Sequence, residues 1–492
     1  MNLTKKVAYN TLIQIAGKVI STFLGLFSLA LITRYLGLNG FGEYTTVLTF
    51  LTFFAVIADG GLTLVTVQMI SSHDENENKI LNNLFSLRLI SSILILSLAP
   101  LVLLFFPYGS AIKSGIIISL AVFFFPALNQ VIVGLFQKKL SLDRDVIAEL
   151  AGRLVLIGGI IIIRKGNFGL NGVLLATVAA AAINFICHYL GALKFAVIKM
   201  EFDWLIWKKI ISKSWPLAIT ITLNLIYLRA DTLLLSLFRS AAEVGLYGVT
   251  YRVIDVITTL PFMFAGLILP ILTTAWAKND HLYFKKVLQK SFDFMAMAAI
   301  PIVIGTQFVS RSLMTLVAGS DFADTGRILQ VLIFAVAAIF LGAMFSHAVI
   351  ALDKQKKMIG FYVFTSLSSL IAYLVLIPKF SYFGAAGVTI YSEVMIAIFS
   401  AYCVYKYSRW LPNLKIFLKS LGAAVVMGFF LYFFPGRYQT TISGLLLTIF
   451  LASLVYFLAL YLLGGIKPKD LETIFKRQNK SGGQIYNSSP NL

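Results

Sequence analysis

Asp59 lies in FFAVIADGGLTLVTV (53–67), a run with no other charged side chain. Lys18, Arg88, Glu149, Arg153, Arg229, Asp231, Arg252, Asp255, Asp293 and Glu393 are likewise set in apolar sequence. Groups of this kind are costly against lipid, so they face a bundle interior or a watery cavity, where they pair or handle a charged ligand. Glu149 and Arg153 are four apart and Arg252 and Asp255 three apart, so each couple can close on one helix face. Lys18, Arg88 and Arg229 have no opposite charge at helical spacing. Cations without a partner at this depth attract an anion strongly, and the carboxylates can compete for them or bind a coupling H+ or Na+. The candidate anion-binding set is therefore Lys18, Arg88, Arg153, Arg229 and Arg252. The candidate coupling or gating set is Asp59, Gly60, Gly61, Asp231 and Asp255.

Helical periodicity places several of these on polar stripes. Thr45, Thr49, Thr52, Asp59, Thr63 and Thr66 share one face, as do Gln14, Lys18, Thr22, Gly25 and Ser28, and as do Thr220, Asn224, Tyr227 and Asp231. Threonine and serine alone can bond back to their own helix. Lys18 and Asp59 in the same stripes argue for faces on a cavity. Gly60 and Gly61 predict a bend or a close approach there.

The elements that position these groups are membrane helices. The 492 residues are 59% hydrophobic and 13% charged, with mean hydropathy +0.88. Residues 89–112, 166–193, 328–352 and 438–466 contain no Asp, Glu, Lys or Arg, and about 18 such residues suffice to nominate a span. Hydropathy predicts an all-α polytopic membrane protein of about 14 helices. With the N-terminus in the cytoplasm, most of the 41 Lys and Arg residues fall at cytoplasmic ends and loops, the bias expected of inward-facing segments. The acidic loop SSHDENENK (71–79) departs from it. The net charge of +20 thus reflects topology, with no nucleic-acid partner implied. Lys5 and Lys6 precede a long apolar segment without a small-residue cleavage site, which reads as a retained first helix.

Internal echoes divide the chain. RYLGLNGFGEYTTV (34–47) resembles LFRSAAEVGLYGVT (237–250), NFGLNGV (167–173) resembles YFGAAGV (382–388), and FQKKL (136–140) resembles DKQKKM (353–358). Three echoes in one order predict two parallel six-helix lobes around a central site, an architecture of transporters. The expected divisions are 1–203 for helices 1–6, 204–410 for helices 7–12, 411–464 for an extra helix pair, and 465–492 for a polar cytoplasmic tail.

Other chemistries lack their motifs. There is no G-x-x-x-x-G-K-[ST] loop to cradle ATP phosphates and no HExxH. The four histidines are scattered, Cys187 and Cys403 form no CxxC, and DRD (143–145) sits in a short basic loop. Neither a cofactor nor a metal is implied, and the chain reads as something other than an enzyme. A membrane glycosyltransferase, polymerase or ligase would need a sizeable outer loop, which the sequence lacks.

RYLG (34–37), FGEY (41–44) and the D-x-G at Asp59–Gly61 resemble the opening of bacterial polysaccharide-export flippases. These are the O-antigen-type members of the multidrug/oligosaccharidyl-lipid/polysaccharide exporter superfamily. The resemblance implies a V-shaped pair of six-helix lobes in the bacterial inner membrane, with both termini cytoplasmic. It also implies movement of undecaprenyl-diphosphate-linked oligosaccharide from inner to outer leaflet by alternating access, coupled to an ion gradient. Polysaccharide polymerase and glycosyltransferases are the implied protein partners. A lipid II flippase differs mainly in the sugar. A multidrug or metabolite cation antiporter of the superfamily would show a cavity dominated by carboxylates, and a non-transporting scaffold would not need the polar stripes. The topology predicts that reporters fused after Leu492 and within 164–168 lie on opposite sides of the membrane; finding both on one side would refute it.

Overall fold

The computed structural model describes residues 3–71 and 77–466; most of the acidic 71–79 loop and nearly all of the polar tail lie outside the described residues. Every regular element described is helical. In order these are α1 (Leu3–Asp59), α2 (Leu62–Ser71), α3 (Glu77–Leu103), α4 (Ser110–Lys139), α5 (Leu142–Gly166), α6 (Gly169–Ala192), α7 (Trp204–Phe238), α8 (Ala241–Ala277), α9 (His281–Ala318), α10 (Thr325–Ala351), α11 (Gln355–Ser408), α12 (Lys415–Phe433) and α13 (Ile442–Leu462).

Among the described residues, twelve helical stretches are long and apolar enough to cross a membrane. Two are too long to cross once. At about 1.5 Å per residue, the 57 residues of α1 and the 54 of α11 would each span roughly 80 Å, against about 30 Å of hydrocarbon. Both turn back. The backbone of α1 reverses at Gly37 (φ 64°) and that of α11 at Ser381 (φ 53°). Left-handed backbone is cheap for glycine. Ser381 is held in it by its hydroxyl, which donates to Glu243 Oε1 at 2.5 Å. Arg239 donates to the nearby carbonyls of Ile377 and Pro378 at 3.3 and 2.7 Å. Counting each arm, the described residues hold 14 such apolar segments, the number that hydropathy predicts, with α2 continuing the second arm of α1.

The first lobe comprises α1–α6 and the second α7–α11; α12 and α13 pack on α9 through Ala423, Ala424, Met427 and Tyr456 against Ala296 and Ile300. One apolar core runs through both lobes at the end where α1 turns, joining Phe41, Tyr44 and Val47 to Leu235, Val244 and Tyr247. Toward the opposite end the cores are separate, one around Phe136 and Leu135, the other around Phe284 and Met344. The result is two lobes fused at one end and parted toward the other.

The fused end is built from the first sequence echo. A Cβ placed on Gly42 would lie 1.7 Å from the Ala241 carbonyl, and one on Gly245 2.4 Å from that of Leu38. Only glycine lets the two backbones meet this closely. Arg34 adds a link between lobes, donating to Leu316 O (2.8 Å) and Val317 O (3.1 Å) in the last turn of α9, where helix carbonyls lack partners and carry negative potential. Tyr108 Oη and Ser236 Oγ meet at 2.7 Å.

The connection between lobes (193–203) has no regular structure but is strapped to α3. Asn82, Ser86 and Asn83 accept from the backbone N–H groups of Lys199, Glu201 and Asp203 at 3.0, 2.9 and 2.7 Å. Asp203 also caps α7 through Leu205 N and Ile206 N. Lys79, 2.6 Å away, holds its carboxyl below the usual carboxylate range.

The lobe contact yields a stability prediction. Gly42→Ala forces the backbones apart and should cost about 1–3 kcal/mol, the usual range for overpacking, read as a lowered melting temperature of the purified protein. Gly158→Ala, where an added Cβ meets nothing within 4 Å, should be neutral or stabilising. Equal melting of Gly42→Ala and wild type would remove the glycine contact as the fastener of the lobes.

Candidate functional site

Between the lobes lies a cavity of about 480 Å³. The first arm of α1 contributes Lys18, Ser21, Thr22, Gly25 and Ser28; α5 adds Glu149 and Arg153; α8 adds Arg252, Asp255 and Thr259. A second space of about 410 Å³ shares Lys18, Glu149 and Thr259 with it and extends past Gln14 and Asp145. The stripe of helix 1 therefore faces this cavity. Its hydroxyls also bond back to their helix, Thr22 to Lys18 O (2.7 Å) and Ser28 to Leu24 O (2.8 Å).

The threonine stripe of helix 2 does something else. From that arm the cavity takes Tyr44 and Leu48, while Thr45 packs where a Cβ on Gly248 would stand 2.7 Å from its hydroxyl. Thr52 bonds to Leu48 O at 2.8 Å. Thr45 thus serves a close helix contact, which a small hydroxyl residue permits.

The charges sort by partner. Arg229, from α7, donates one Nη2 to both oxygens of Asp255 (2.9 and 3.2 Å) and lies 5.2 Å over the Tyr251 ring. Asp255 is thus bound across helices, and the Arg252–Asp255 couple expected from spacing does not form. A guanidinium arriving from the neighbouring helix replaces the one three residues away. Glu149 accepts from Ser21 Oγ at 2.5 Å, and Arg153 reaches it only at 3.9 Å while donating to Ser21 at 3.4 Å. Lys18 and Arg252 line the cavity and, among the described residues, make no ion pair.

Arg88 is elsewhere. It is 4% exposed, absent from the cavity wall, and 2.6 Å from Asp59 Oδ1. Its Nε donates to Ala127 O at 2.9 Å and its Nη2 to Thr63 Oγ1 at 3.3 Å. The expectation that Arg88 faces the cavity without a partner is corrected: its partner is 29 residues away, beyond any spacing within one helix. Asp59 in turn accepts from Gly61 N (3.1 Å), Thr63 N (3.3 Å) and the Thr63 hydroxyl, capping α2 as an N-cap aspartate does. Gly60 and Gly61 (φ 47° and 78°) make the predicted bend. There α7 crosses: a Cβ on Gly61 would stand 2.7 Å from that of Leu217. Asp231 is fully buried in the second lobe, accepting from Tyr247 (2.8 Å), Tyr251 (2.5 Å) and Thr389 (3.3 Å).

The structure thus brings Lys18, Arg153, Arg252 and Asp255 to one cavity, places Arg229 behind Asp255, and leaves Arg88, Asp59, Gly60, Gly61 and Asp231 in structural clusters outside its wall. Ser21 and Tyr44 are site residues that spacing missed. Ser21 flanks Thr22 on a stripe wider than a single 3–4 row. Among the described residues no group of His, Cys, Asp or Glu is placed to hold a metal.

Two six-segment lobes thus stand around a polar cavity, with an added helix pair packed on α9. The family described as polysaccharide biosynthesis protein matches residues 31–327, and the chain belongs to that family. It is 25% identical over 325 residues to the capsular polysaccharide biosynthesis protein CapF of Staphylococcus aureus, spanning 64% of this chain and 81% of that protein. It superposes on the lipid II flippase MurJ in an inward closed conformation with a TM-score of 0.74 at 18% identity, over 95% of this chain and 99% of that one. An inward-facing multidrug resistance MATE transporter of the MOP superfamily gives 0.63 at 16%, over 78% and 94%. At these identities the solved structures show a shared fold.

Removing one member of a buried ion pair strands the other, typically at about 3–5 kcal/mol. Asp59→Ala should therefore lower the stability of the purified protein by about 3 kcal/mol. Asp59→Leu combined with Arg88→Met should recover much of it, since apolar replacement of both partners is often neutral. If Asp59→Ala melts like wild type, the pair is not structural.

Proposed function

We propose that the protein is a flippase that moves an undecaprenyl-diphosphate-linked oligosaccharide, a repeat unit of O-antigen or another surface polysaccharide, from the inner to the outer leaflet. The observation that carries this reading is the pair Lys18 and Arg252, two cations facing the central cavity that make no ion pair among the described residues. A diphosphate is at least a dianion, and in a site of low dielectric two fixed cations attract it far more than in water. Arg252 offers a planar fork matched to phosphate oxygens and Lys18 a compact charge. Arg153 is only loosely held by Glu149 and is a third candidate. Threonine and serine hydroxyls of α1 offer hydrogen bonds to sugar.

In this reading the chain sits in a bacterial inner membrane with both termini cytoplasmic. The fused end at Gly37 then faces outward and the parted end inward. Alternating access would part the Gly42–Gly245 contact and bring the separate cores of the opposite end together. The work would come from an H+ or Na+ gradient, and a polysaccharide polymerase and glycosyltransferases would supply and consume the cargo. A lipid II flippase is the same chemistry with another sugar. A cation antiporter of the superfamily is disfavoured by the unpaired cations, since it would need the opposite charge balance in the cavity.

The test is flipping of a lipid-linked oligosaccharide in proteoliposomes. Lys18→Ala and Arg252→Ala should each reduce the rate about tenfold or more, from the loss of a charged hydrogen bond, at unchanged protein abundance. Lys18→Arg and Arg252→Lys should retain part of the activity. Normal flipping by the double alanine variant would sink the reading.

A further inference from the structure

The second lobe holds a cavity of its own, about 410 Å³, whose wall shares Asp255 with the central one. The Arg229–Asp255 pair stands between the two spaces. In the second-lobe cavity, on α11 one turn beyond Thr389, is Glu393. Its side chain is 8% exposed, and its Oε1 is buried without a hydrogen-bond partner. Among the described residues no Lys, Arg or His forms an ion pair with it.

Two carboxylates in this lobe make an instructive contrast. Asp231 has the hydroxyls of Tyr247, Tyr251 and Thr389 turned toward it, donors that suit an ionised form. Glu393 has none. The groups around its cavity are Tyr227 and Arg229 from α7, Tyr251 and Asp255 from α8, and Tyr362 from α11, with Ser346 from α10; Tyr373 of α11 lies nearby. Tyr373 donates to Tyr227 O (3.0 Å), Tyr251 donates to Asp231, and Arg229 is committed to Asp255. Tyr227 Oη accepts from Asn224 (2.7 Å) and the Tyr362 ring stacks on that of Tyr227, and among the described residues no hydroxyl donates to Glu393 Oε1. An ionised carboxylate isolated in this way is very costly, so the group neutralises. A metal cation would need several oxygen ligands gathered around it, and among the described residues Glu393 belongs to no cluster of His, Cys, Asp or Glu that could hold one. A proton needs only the carboxylate.

We propose that Glu393 is a proton-binding site of the second lobe, exchanging its proton with water in that cavity. Uptake forms one O–H bond on the carboxylate from a hydronium proton. Release breaks that bond and returns the proton to cavity water when rearrangement of the lobe admits it. Occupancy by a proton is independent of what the central cavity carries; only its use to drive transport rests on the flippase reading.

Infrared difference titration of the intact protein in lipid nanodiscs tests the site. Wild type should show a protonated-carboxyl C=O band that bleaches as pH rises, and Glu393→Gln should lack it at equal helix content by circular dichroism. Sodium chloride at constant pH should leave the band unchanged. Spectra of wild type and Glu393→Gln that superimpose through the titration would overturn the proposal, and so would bleaching by sodium at constant pH. Lys18→Ala should keep the band whether or not it flips lipid, so failure of the flippase reading and failure of this one are distinguishable. In flipping vesicles, Glu393→Gln should abolish acceleration by an imposed pH gradient; an unchanged acceleration would overturn the coupling role.

Discussion

A charge inside a membrane bundle must find a partner or a cavity, and most of this structure follows from how that requirement is met. Arg88 finds Asp59 across 29 residues, Arg229 finds Asp255 across 26, and Asp231 collects hydroxyl donors. These matches tie helices together: α1 to α3 and α4, α7 to α8, and α8 to the second arm of α11. What remains unmatched defines the chemistry. Lys18 and Arg252 are left facing the central cavity, and Glu393 is left in the second-lobe cavity. The cationic character of the central site is therefore a remainder, set by which carboxylates the neighbouring helices have already claimed.

The proposed alternating access requires the same bundle to come apart without unfolding. Its lobes share an apolar core only at the end where α1 turns, and there the contact is made by backbone against backbone at Gly42 and Gly245. The close approach at Gly42 and Gly245 sits within that core, so parting the lobes there separates packed side chains such as Phe41, Val244 and Tyr247 as well as backbone. Arg34 and Tyr108 add polar links that water can replace. Toward the other end the cores are separate, the one built on the first lobe also taking in Trp207 and Ile210 from the start of α7.

Much of the architecture was legible in the residues. Long charge-free runs gave the 14 segments, the echo of Gly42–Tyr44 in Gly245–Tyr247 marked the two lobes, and the stripe from Gln14 to Ser28 pointed to the cavity wall. Spacing along one helix fails where partners come from another. It assigned Asp255 to Arg252, although α7 delivers Arg229 to it; it left Arg88 alone, although the bend at Gly60 brings Asp59 against it. The threonines of helix 2 face the bundle interior, where Thr45 packs against Gly248 of α8 and Thr63 joins Asp59 and Arg88. Such pairings are tertiary, and a 3.6-residue period carries no information about them. Glu393 was visible as a charge in an apolar helix, but its isolation shows only in the fold, where its Oε1 is buried with no hydrogen-bond partner among the described residues.

The central claim is that the remainder of positive charge in the cavity selects an anionic lipid headgroup. It is tested most directly by alkylation of Thr22→Cys, one turn from Lys18 on the cavity wall, in a background with Cys187 and Cys403 replaced by serine. A polyprenyl diphosphate should protect the new thiol from a polar alkylating reagent, with protection weakening as salt rises, while the uncharged polyprenol should not. Protection by a lipophilic cation, with none by the diphosphate, would contradict the account.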